Sequence, residues 1–212
     1  MTVTAGPPPA GRQPQQQRSR ATRQRLLDAT IESLAEVGWD RTTVVAVAGR
    51  AGVSRGAAQH HFTTRDDLVI AAIGHVQSEL LADMRRRIPE VAGRRDRSMA
   101  VLEMISGLWT STFGRAALHL WVAASTDPSL RSLVLPLERQ LNQDIYKVTI
   151  ELLGADSARP QVRESVGLTL QLMRGMGLGA LLRHDSTRRK AELAQWAAML
   201  TAIEGVIGRL PL

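Results

Sequence analysis

The strongest constraint on the fold of this chain lies in residues 42–62, where two short helix signals flank a glycine. Apolar residues recur at helical spacing before Gly52, and Thr42 or Thr43 can cap the first helix by accepting a backbone N–H. Gly52 stands where the chain must leave that helix, and glycine tolerates the positive φ of such a turn. The segment therefore predicts two short helices joined by a sharp turn.

The second of these helices runs from Arg55 to about Phe62 and follows Ser54, which can cap it. Ala58 and Phe62 are four residues apart, so they share one face and are expected to point inward. The opposite face carries a cation, an amide and an imidazole, from Arg55, Gln59 and His60. A short capped helix with this polar face, buttressed by a second helix, suits the major groove of DNA.

Further motifs extend this pattern on both sides: LLDA at 26–29, EVGW at 36–39, TTV at 42–44, AGVSRG at 51–56, HF at 61–62 and RDDL at 65–68. Together, over residues 20–68, they resemble the helix-turn-helix of the tetracycline-repressor-type (TetR) regulators. The resemblance implies an all-α fold. An N-terminal three-helix helix-turn-helix DNA-binding domain is joined by a long helix to a C-terminal helical domain for ligand binding and dimerisation.

The expected domain boundaries follow from composition and from the resemblance. We expect a disordered tail over 1–18, the DNA-binding domain over 19–64, the connecting helix over 65–88 and the C-terminal domain over 98–212. The tail is rich in Pro, Gln and Gly and lacks the apolar residues that a folded segment buries. The arginines between residues 12 and 25 precede the first acidic residue, Asp28. This basic stretch is either an arm along DNA phosphates or a solvated leader.

Arg55 and Gln59 are the candidate base-reading residues. Glutamine can pair with N6 and N7 of adenine, and arginine with O6 and N7 of guanine. Gly56 and Ala57 are small enough for a close approach to the bases, and Ala57 can touch a thymine methyl. The TetR family usually has a tyrosine where this chain has Gln59, so an amide replaces the expected phosphate-binding hydroxyl. An ordinary solvated helix surface is the alternative interpretation.

The resemblance also implies contacts with DNA phosphates. By that resemblance, His60 and His61 lie where the DNA backbone is gripped, and Thr43 and Arg65 match phosphate-contact positions at helix starts. The helix cap Ser54 completes the predicted DNA-binding set. Adjacent histidines on a helix point about 100° apart, so His60 and His61 do not form a metal site.

Basic charge is concentrated in the first half of the chain. The formal net charge is +7, and residues 1–97 contain 15 arginines and 10 acidic residues, a balance of +5. Residues 98–212 contain 12 basic and 10 acidic residues, a balance of +2. A basic first half indicates a polyanionic partner such as double-stranded DNA, although an arginine-rich soluble protein without that partner shows the same balance.

Helical spacing accounts for the rest of the chain. We expect a first helix from Ala21 to Val37, ended by Gly38, a connecting helix stopped by Pro89, and a loop over 91–96. Further helices are predicted over 98–114, around 118–122, and over 127–154, 160–183 and 188–208. Pro136 is expected to kink or split the helix that contains it. We find no strand-like alternation of any length and no internal repeat.

Large, soft apolar side chains in the second half are candidates for a ligand cavity. Each is individually expected to pack in the core, but together they can line a space between helices. The resemblance implies such a cavity for an inducing small molecule. The predicted ligand-binding residues are Met104, Trp109, Trp121, Met173 and Met176.

The last helix carries an apolar stripe that recurs at spacings of three and four residues, as in a helix–helix seam. Paired with the preceding helix in two chains, it predicts a four-helix bundle at a homodimer interface. The predicted interface residues are Met173, Leu193, Trp196, Leu200, Ile203 and Ile207. The alternative is that both stripes pack inside one chain. Gly175 and Gly179 lie four apart and predict close helix packing.

Several functions find no support in the sequence. The single histidines outside the helix-turn-helix form no metal or catalytic constellation, so no enzyme activity, metal or cofactor is expected. The absence of cysteine excludes thiol chemistry and fits a reducing cytoplasm. No apolar run approaches the length of a membrane span, so no membrane partner is expected.

Three functional hypotheses remain. The first is a homodimeric repressor that a small apolar ligand releases from a palindromic operator. The second is a DNA-binding regulator that has no ligand or that activates transcription. The third is a helical small-molecule-binding protein or enzyme.

Overall fold

A computed structural model describes residues 12–183 and 185–207, with side chains over 15–183 and 185–200. The described chain is entirely helical, apart from turns. Its helices are α1 Arg12–Arg41, α2 Val44–Arg50, α3 Arg55–His61, α4 Arg65–Arg86, α5 Ile88–Ala92, α6 Arg97–Thr110, α7 Thr112–Thr126, α8 Pro128–Leu153, α9 Pro160–Ala180 and α10 Ser186–Ile207. The all-α prediction is confirmed.

The first helix starts earlier than predicted. It begins at Arg12, so residues 12–18 of the expected disordered tail are helical, whereas residues 1–11 lie outside the described part of the chain. Glutamine and arginine are good helix formers, and they extend a helix whose later turns are anchored by buried Leu26 and Leu27. The break occurs at Gly38, as predicted, because its φ of 73° interrupts the helical backbone.

The two helices of the DNA-reading unit begin at side-chain caps. The hydroxyl oxygen of Thr43 accepts a hydrogen bond from the Ala46 N–H at 3.1 Å, and that of Ser54 accepts one from the Ala57 N–H at 3.2 Å. Gly52 has a φ of 62°, as the turn requires. Thr42, the alternative cap, is buried and donates to the Gly38 carbonyl at 2.7 Å. The predicted helix–turn–helix is confirmed.

The connecting helix is shorter than expected. It starts after Thr64, whose hydroxyl accepts from the Asp67 N–H at 3.1 Å, and ends at Arg86 rather than at residue 88. Pro89 lies in the first turn of α5, where its missing N–H costs nothing, so part of the predicted loop is helical. Arg97 then donates to the Leu152 carbonyl at 2.6 Å and complements the C-terminus of α8.

The predicted end of α6 at Gly114 is wrong. The helix ends at Thr110, and Ser111 starts α7 by accepting a hydrogen bond from the Gly114 N–H at 3.2 Å. Gly114 is buried in that first turn, where a Cβ would lie 2.5 Å from the Leu108 carbonyl oxygen. Gly114 therefore marks a close approach between α6 and α7 rather than the end of a helix.

Helix α8 has the predicted ends and an unbroken middle. The Asp127 carboxylate caps it, Pro128 occupies its first turn, and Gly154 ends it with a φ of 60°. Pro136 does not split the helix, because the carbonyl of Ser132 that loses its partner lies on the exposed side, where water can reach it.

A single buried cluster joins the N-terminal helices to the C-terminal domain. Helix α1 packs against α4 and, more extensively, against α7, while α4 packs on α8 and α6 on α9. The largest fully buried side chains come from both halves of the chain: Trp109, Leu26, Leu27, Leu34, Leu68, Met84, Ile105, Leu120, Ile145, Leu152, Met173 and Val47. The DNA-reading unit is therefore fixed against the C-terminal domain by apolar packing.

Gly114→Ala tests the packing at the α6–α7 corner. The new methyl would overlap backbone atoms of Leu108 and Trp109, so we expect a loss of about 1–3 kcal/mol in the free energy of unfolding. The matched control is Gly107→Ala in the middle of α6, where a Cβ meets nothing within 4 Å and a gain of about 0.5–1 kcal/mol is expected. Urea denaturation measures both, and equal effects would contradict the tight corner.

Candidate nucleic-acid interface

Helix α3 is held by one face and leaves the other open. Ala58 and Phe62 are buried, and Phe62 also lies under the Arg23 guanidinium, 5.3 Å from its ring centroid. Seven residues are too few for an isolated helix to persist, so the Ser54 cap and this buried face keep α3 in place. Its outer face is thereby presented as a rigid surface.

The predicted base-reading residues lie together on that outer face. Arg55, Gly56 and Gln59 are exposed, and Ala57 is half-buried beside them. Within the described part of the chain, the side chains of Arg55 and Gln59 make no hydrogen bond or ion pair, so their donors and acceptors remain available to another molecule. One cation and one amide, one helical turn apart, can address neighbouring base pairs.

The predicted phosphate-contact residues fall into two groups. The hydroxyls of Thr43 and Ser54 are exposed and use an oxygen lone pair for capping, which leaves the O–H free to donate to a phosphate. Arg65 is half-buried instead. Its guanidinium stacks 3.7 Å from the Trp39 ring centroid and donates to the Trp39 carbonyl at 3.4 Å, so it also fastens α4 to the end of α1.

The two histidines at the end of α3 differ in environment. His60 is exposed, whereas His61 is half-buried with its ring 5.6 Å from that of His60. Burial, and then the nearby positive groups of His60 and Arg23, lower the pKa of His61 below its usual value of 6.5. His61 is therefore neutral at neutral pH in the free protein and offers a single N–H donor.

Sequence reasoning missed the role of Arg50. This arginine of α2 binds two carboxylates of α1, at 2.5 Å from Glu36 and 3.6 Å from Glu32. The pair ties α2 to α1, and the hydrogen bond from Arg50 is the main reason that the pKa of Glu36 is lowered. Glu32 and Glu36 have the spacing of one helix face, but only the fold brings Arg50 to them.

The structure brings together part of the predicted ligand-binding set. The rings of Trp109 and Trp121 lie 5.4 Å apart between α6 and α7, and Gly177 of α9 packs on the Trp109 backbone and Cβ. Met104 and Met176 are half-buried at the edge of the core. Met173 is completely buried in the packing of α9 on the domain. Ligand contact by any of them stays a prediction.

The predicted dimer stripe faces inward in a single chain. Met173 and Leu193 are buried, and the indole N–H of Trp196 donates to the Thr169 hydroxyl of α9 at 3.0 Å. Leu200 is half-buried, and the side chains of Ile203 and Ile207 lie outside the described residues. Met173 and Leu193 are thus covered within one chain, and the dimer interface stays a prediction. Gly175 and Gly179 have open space around them, and the closely packed glycine is Gly177.

A groove of about 510 Å³ opens between α4 and the α6–α7 corner. Its apolar wall includes Leu80, Leu108 and Phe113, and its rim carries Glu79 and Asp83. None of the five predicted ligand-binding residues lines it. Its volume falls within the range of small-molecule sites, and it lies directly on the connecting helix.

Comparison with known proteins decides the family. Residues 26–72 match the family model described as bacterial regulatory proteins, tetR family. An HTH-type transcriptional regulator of Mycobacterium tuberculosis is 30% identical over 189 residues, which cover 89% of this chain and 95% of that protein. The chain belongs to the TetR family. It is thus a helix-turn-helix transcriptional regulator, as the motifs predicted.

Named relatives and solved structures agree with this assignment. The regulator BetI of Burkholderia cenocepacia is 30% identical over 165 residues, covering 75% of this chain and 82% of BetI. The regulator CymR of Pseudomonas putida is 26% identical over 181 residues, covering 84% and 88%. A transcriptional regulator from Rhodococcus sp. Rha1 superposes with a TM-score of 0.56 at 26% identity, covering 84% and 94%.

Among the described residues, no group of three or more His, Asp or Glu side chains is arranged to hold a metal ion. Over the same residues, no helix is both long and apolar enough to cross a membrane.

Gln59→Ala tests direct reading of DNA by α3 in this TetR-family chain. Loss of a bidentate amide–adenine contact should lower affinity for the preferred site by about 1–3 kcal/mol and relax preference at one base pair per half-site. Fluorescence anisotropy with duplexes mutated at each position measures both effects. The control is Gln143→Ala, an exposed glutamine on α8. Equal weakening on every duplex would instead assign Gln59 to a phosphate.

Proposed function

We propose that this protein is a homodimeric repressor that binds a palindromic DNA operator in the cytoplasm and is released by a small molecule. The observation that carries the proposal is the outer face of α3, where Arg55, Gln59 and His60 are exposed on a helix whose other face is buried. This face has the dimensions and the donors of a major-groove reader. The family assignment supports operator binding.

A second copy of the chain is the partner that this reading unit needs. One short helix contacts few base pairs, whereas two-fold symmetry doubles the site and sets two recognition helices about 34 Å apart. The apolar residues available for that contact lie on the outer face of α9. Leu168 and Leu172 are exposed within the helix, and Leu182, just after it, is 89% exposed.

The geometry of the outer α9 face supports close contact between helices. Leu168, Leu172, Gly175, Gly179 and Leu182 follow one another at spacings of four, three, four and three residues, which is the spacing of a helix–helix seam. A Cβ added to either glycine would meet nothing within 4 Å, so another helix can approach their backbone closely. Met199 is a further exposed apolar residue, on α10. We propose a four-helix bundle of α9 and α10 from two chains.

The position of α4 supports release by a small molecule. This helix packs against α1 of the DNA-reading unit and against α8 of the C-terminal domain. A ligand that favours a different placement of α8 or α4 would change the separation of the two recognition helices. It can shift that equilibrium only by the difference between its affinities for the two states.

A DNA-binding regulator without a ligand, or an activator, is the second candidate function. It is favoured by the same α3 face and differs only in its response to small molecules. A helical small-molecule-binding protein or enzyme is less consistent with that face, because it gives Arg55 and Gln59 no role.

Selection of bound sequences from random duplex DNA tests the proposal. We expect enrichment of an inverted repeat whose half-site centres lie about one helical turn apart, and loss of binding as salt rises, since each neutralised phosphate contributes about 0.9 to the log–log slope. Enrichment of a single, non-repeated half-site would contradict the dimer. Absence of any enriched sequence would contradict site-specific binding.

Charged substitutions on α9 test the dimer separately from DNA. Leu168→Glu with Leu172→Glu should give a folded, helical monomer, because two carboxylates would be desolvated in the seam. Sedimentation velocity measures the assembly state, and circular dichroism confirms the fold. The control is Val122→Glu with Leu135→Glu, two exposed apolar positions on α7 and α8. An intact dimer of the α9 variant, or a monomeric control, would place the interface elsewhere.

A further inference from the structure

The helical domain contains a basic and aromatic cluster, formed by Arg174, Trp109, Trp121 and Asn142. The Arg174 guanidinium of α9 lies 4.8 Å from the ring centroid of Trp121 and 5.2 Å from that of Trp109. The two rings come from α7 and α6, and the amide from α8. Such stacking is favourable for a guanidinium, but it leaves the edge of the plane, where its donors lie, to other partners.

The positive charge of Arg174 is only partly balanced. The nearest carboxylate, that of Glu138, lies 3.8 Å from Nη1 and itself accepts a hydrogen bond from the Asn142 amide. The hydrogen bonds from Arg174 go to two neutral amide oxygens, those of Asn142 and Gln171. Burial lowers the pKa of Arg174, which is the expected result when a cation loses water without gaining a closely bonded anion.

Two buried donors of the cluster lack a hydrogen-bond partner among the described residues. They are Nε of Arg174 and Nε1 of Trp109. Both can only donate, so an acceptor is what they lack. Unpaired buried donors are rare in folded proteins, because each costs the full desolvation of its N–H.

We propose that this cluster binds the carboxylate of a small organic acid whose apolar body lies against the indole rings. The carboxylate oxygens accept from Arg174 and Trp109, and they supply the negative charge that Glu138 provides only at a distance. Water would satisfy the donors but would leave the guanidinium charge only partly balanced by Glu138. That this acid is the effector rests on the proposed function; that it binds at the cluster does not.

Helix α8 connects the cluster to the connecting helix. Two residues after Asn142, α8 carries Asp144, whose carboxylate accepts from Gln140 and from Gln77 of α4, each at 2.9 Å. Gln77 is buried, so this bond fixes the approach of α8 to α4. A carboxylate that takes the Arg174 donors from Asn142 alters α8 within one turn of Asp144. Occupancy of the cluster therefore acts on the helix that positions the DNA-reading unit.

The first experiment measures binding to the full-length protein without DNA. Benzoate, phenylacetate, hexanoate and decanoate are titrated by calorimetry, each against its neutral primary amide. We expect at least one carboxylate to bind and its amide to bind at least about tenfold more weakly, because a hydrogen bond between charged groups is lost. Failure of every carboxylate to bind, or equal affinity of acid and amide, would overturn the proposal.

Variants then locate the site. Arg174→Met keeps the length of the side chain and should raise the Kd of the binding acid by at least about tenfold, while Arg174→Lys keeps the charge without the planar donors and should recover part of the loss. Arg131→Met, an exposed arginine on α8, is the control and should leave the Kd unchanged. Circular dichroism confirms that each variant is folded. An unchanged Kd in Arg174→Met would show that the cluster is structural only.

A gel-shift assay separates the two proposals. The acid should release the wild-type protein from the selected operator but should leave the Arg174→Met variant bound. The variant must first be shown to bind the operator in the absence of acid. Release of both proteins equally would assign the effector site to another place, such as the groove on α4, and would overturn this inference while leaving the repressor intact. If the wild-type protein does not bind the operator even without acid, that result would contradict the proposed function and not the acid site.

Discussion

The structure depends on the packing of α1 against the connecting helix α4 and against α7 of the C-terminal domain. Leu26, Leu27 and Leu34 are fully buried on α1, so its apolar face belongs to the same core as the rest of the chain. A DNA-reading unit of three helices has too little apolar surface to fold with much stability alone. Sharing a core gives it that stability, and it also makes the placement of α3 a property of the whole domain.

Polar contacts at the same junction fix the orientation of α1 relative to α4. The Gln24 amide of α1 lies 2.7 Å from the His75 ring nitrogen of α4, and Arg65 stacks on Trp39 at the start of α4. Apolar contacts tolerate a small sliding of one helix past another, whereas hydrogen bonds and stacked planes weaken when their geometry changes. These contacts, at the start and in the middle of α4, therefore favour rigid movement of the DNA-reading unit with α4 rather than bending between them.

Local signals in the sequence were sufficient for much of the fold. Thr43, Ser54 and Asp127 act as caps, and Gly52 and Gly154 adopt positive φ, because each of these outcomes depends on a few neighbouring residues. Gly114 was misinterpreted because a buried glycine and a terminating glycine are the same residue in sequence. Only the neighbouring backbone of Leu108 and Trp109 distinguishes them.

Which face of a helix is buried proved harder to predict. Helix α9 is apolar on most of its circumference, so Met173 and Leu172 are equally good candidates for the core by hydropathy. The structure buries Met173 and leaves Leu172 39% exposed, because α6 supplies a partner on one side only. The signal that could have been used is Arg174, a single charge in the apolar run 165–182. A charge in such a position usually has a specific partner.

The charge available to DNA is smaller than the composition of the first half suggests. Arg50 is neutralised by Glu36 and Glu32, and Arg65 is held over Trp39, so neither is a freely extended cation. Burial lowers the pKa of His61, which favours its neutral form. Affinity from charge alone is therefore limited, and the exposed donors of Arg55, Gln59 and His60 must contribute through their geometry. This distribution of charge favours sequence-selective binding over general attraction to polyanions. Contacts with base edges depend on the position of the donors, whereas contacts with phosphates depend mainly on charge.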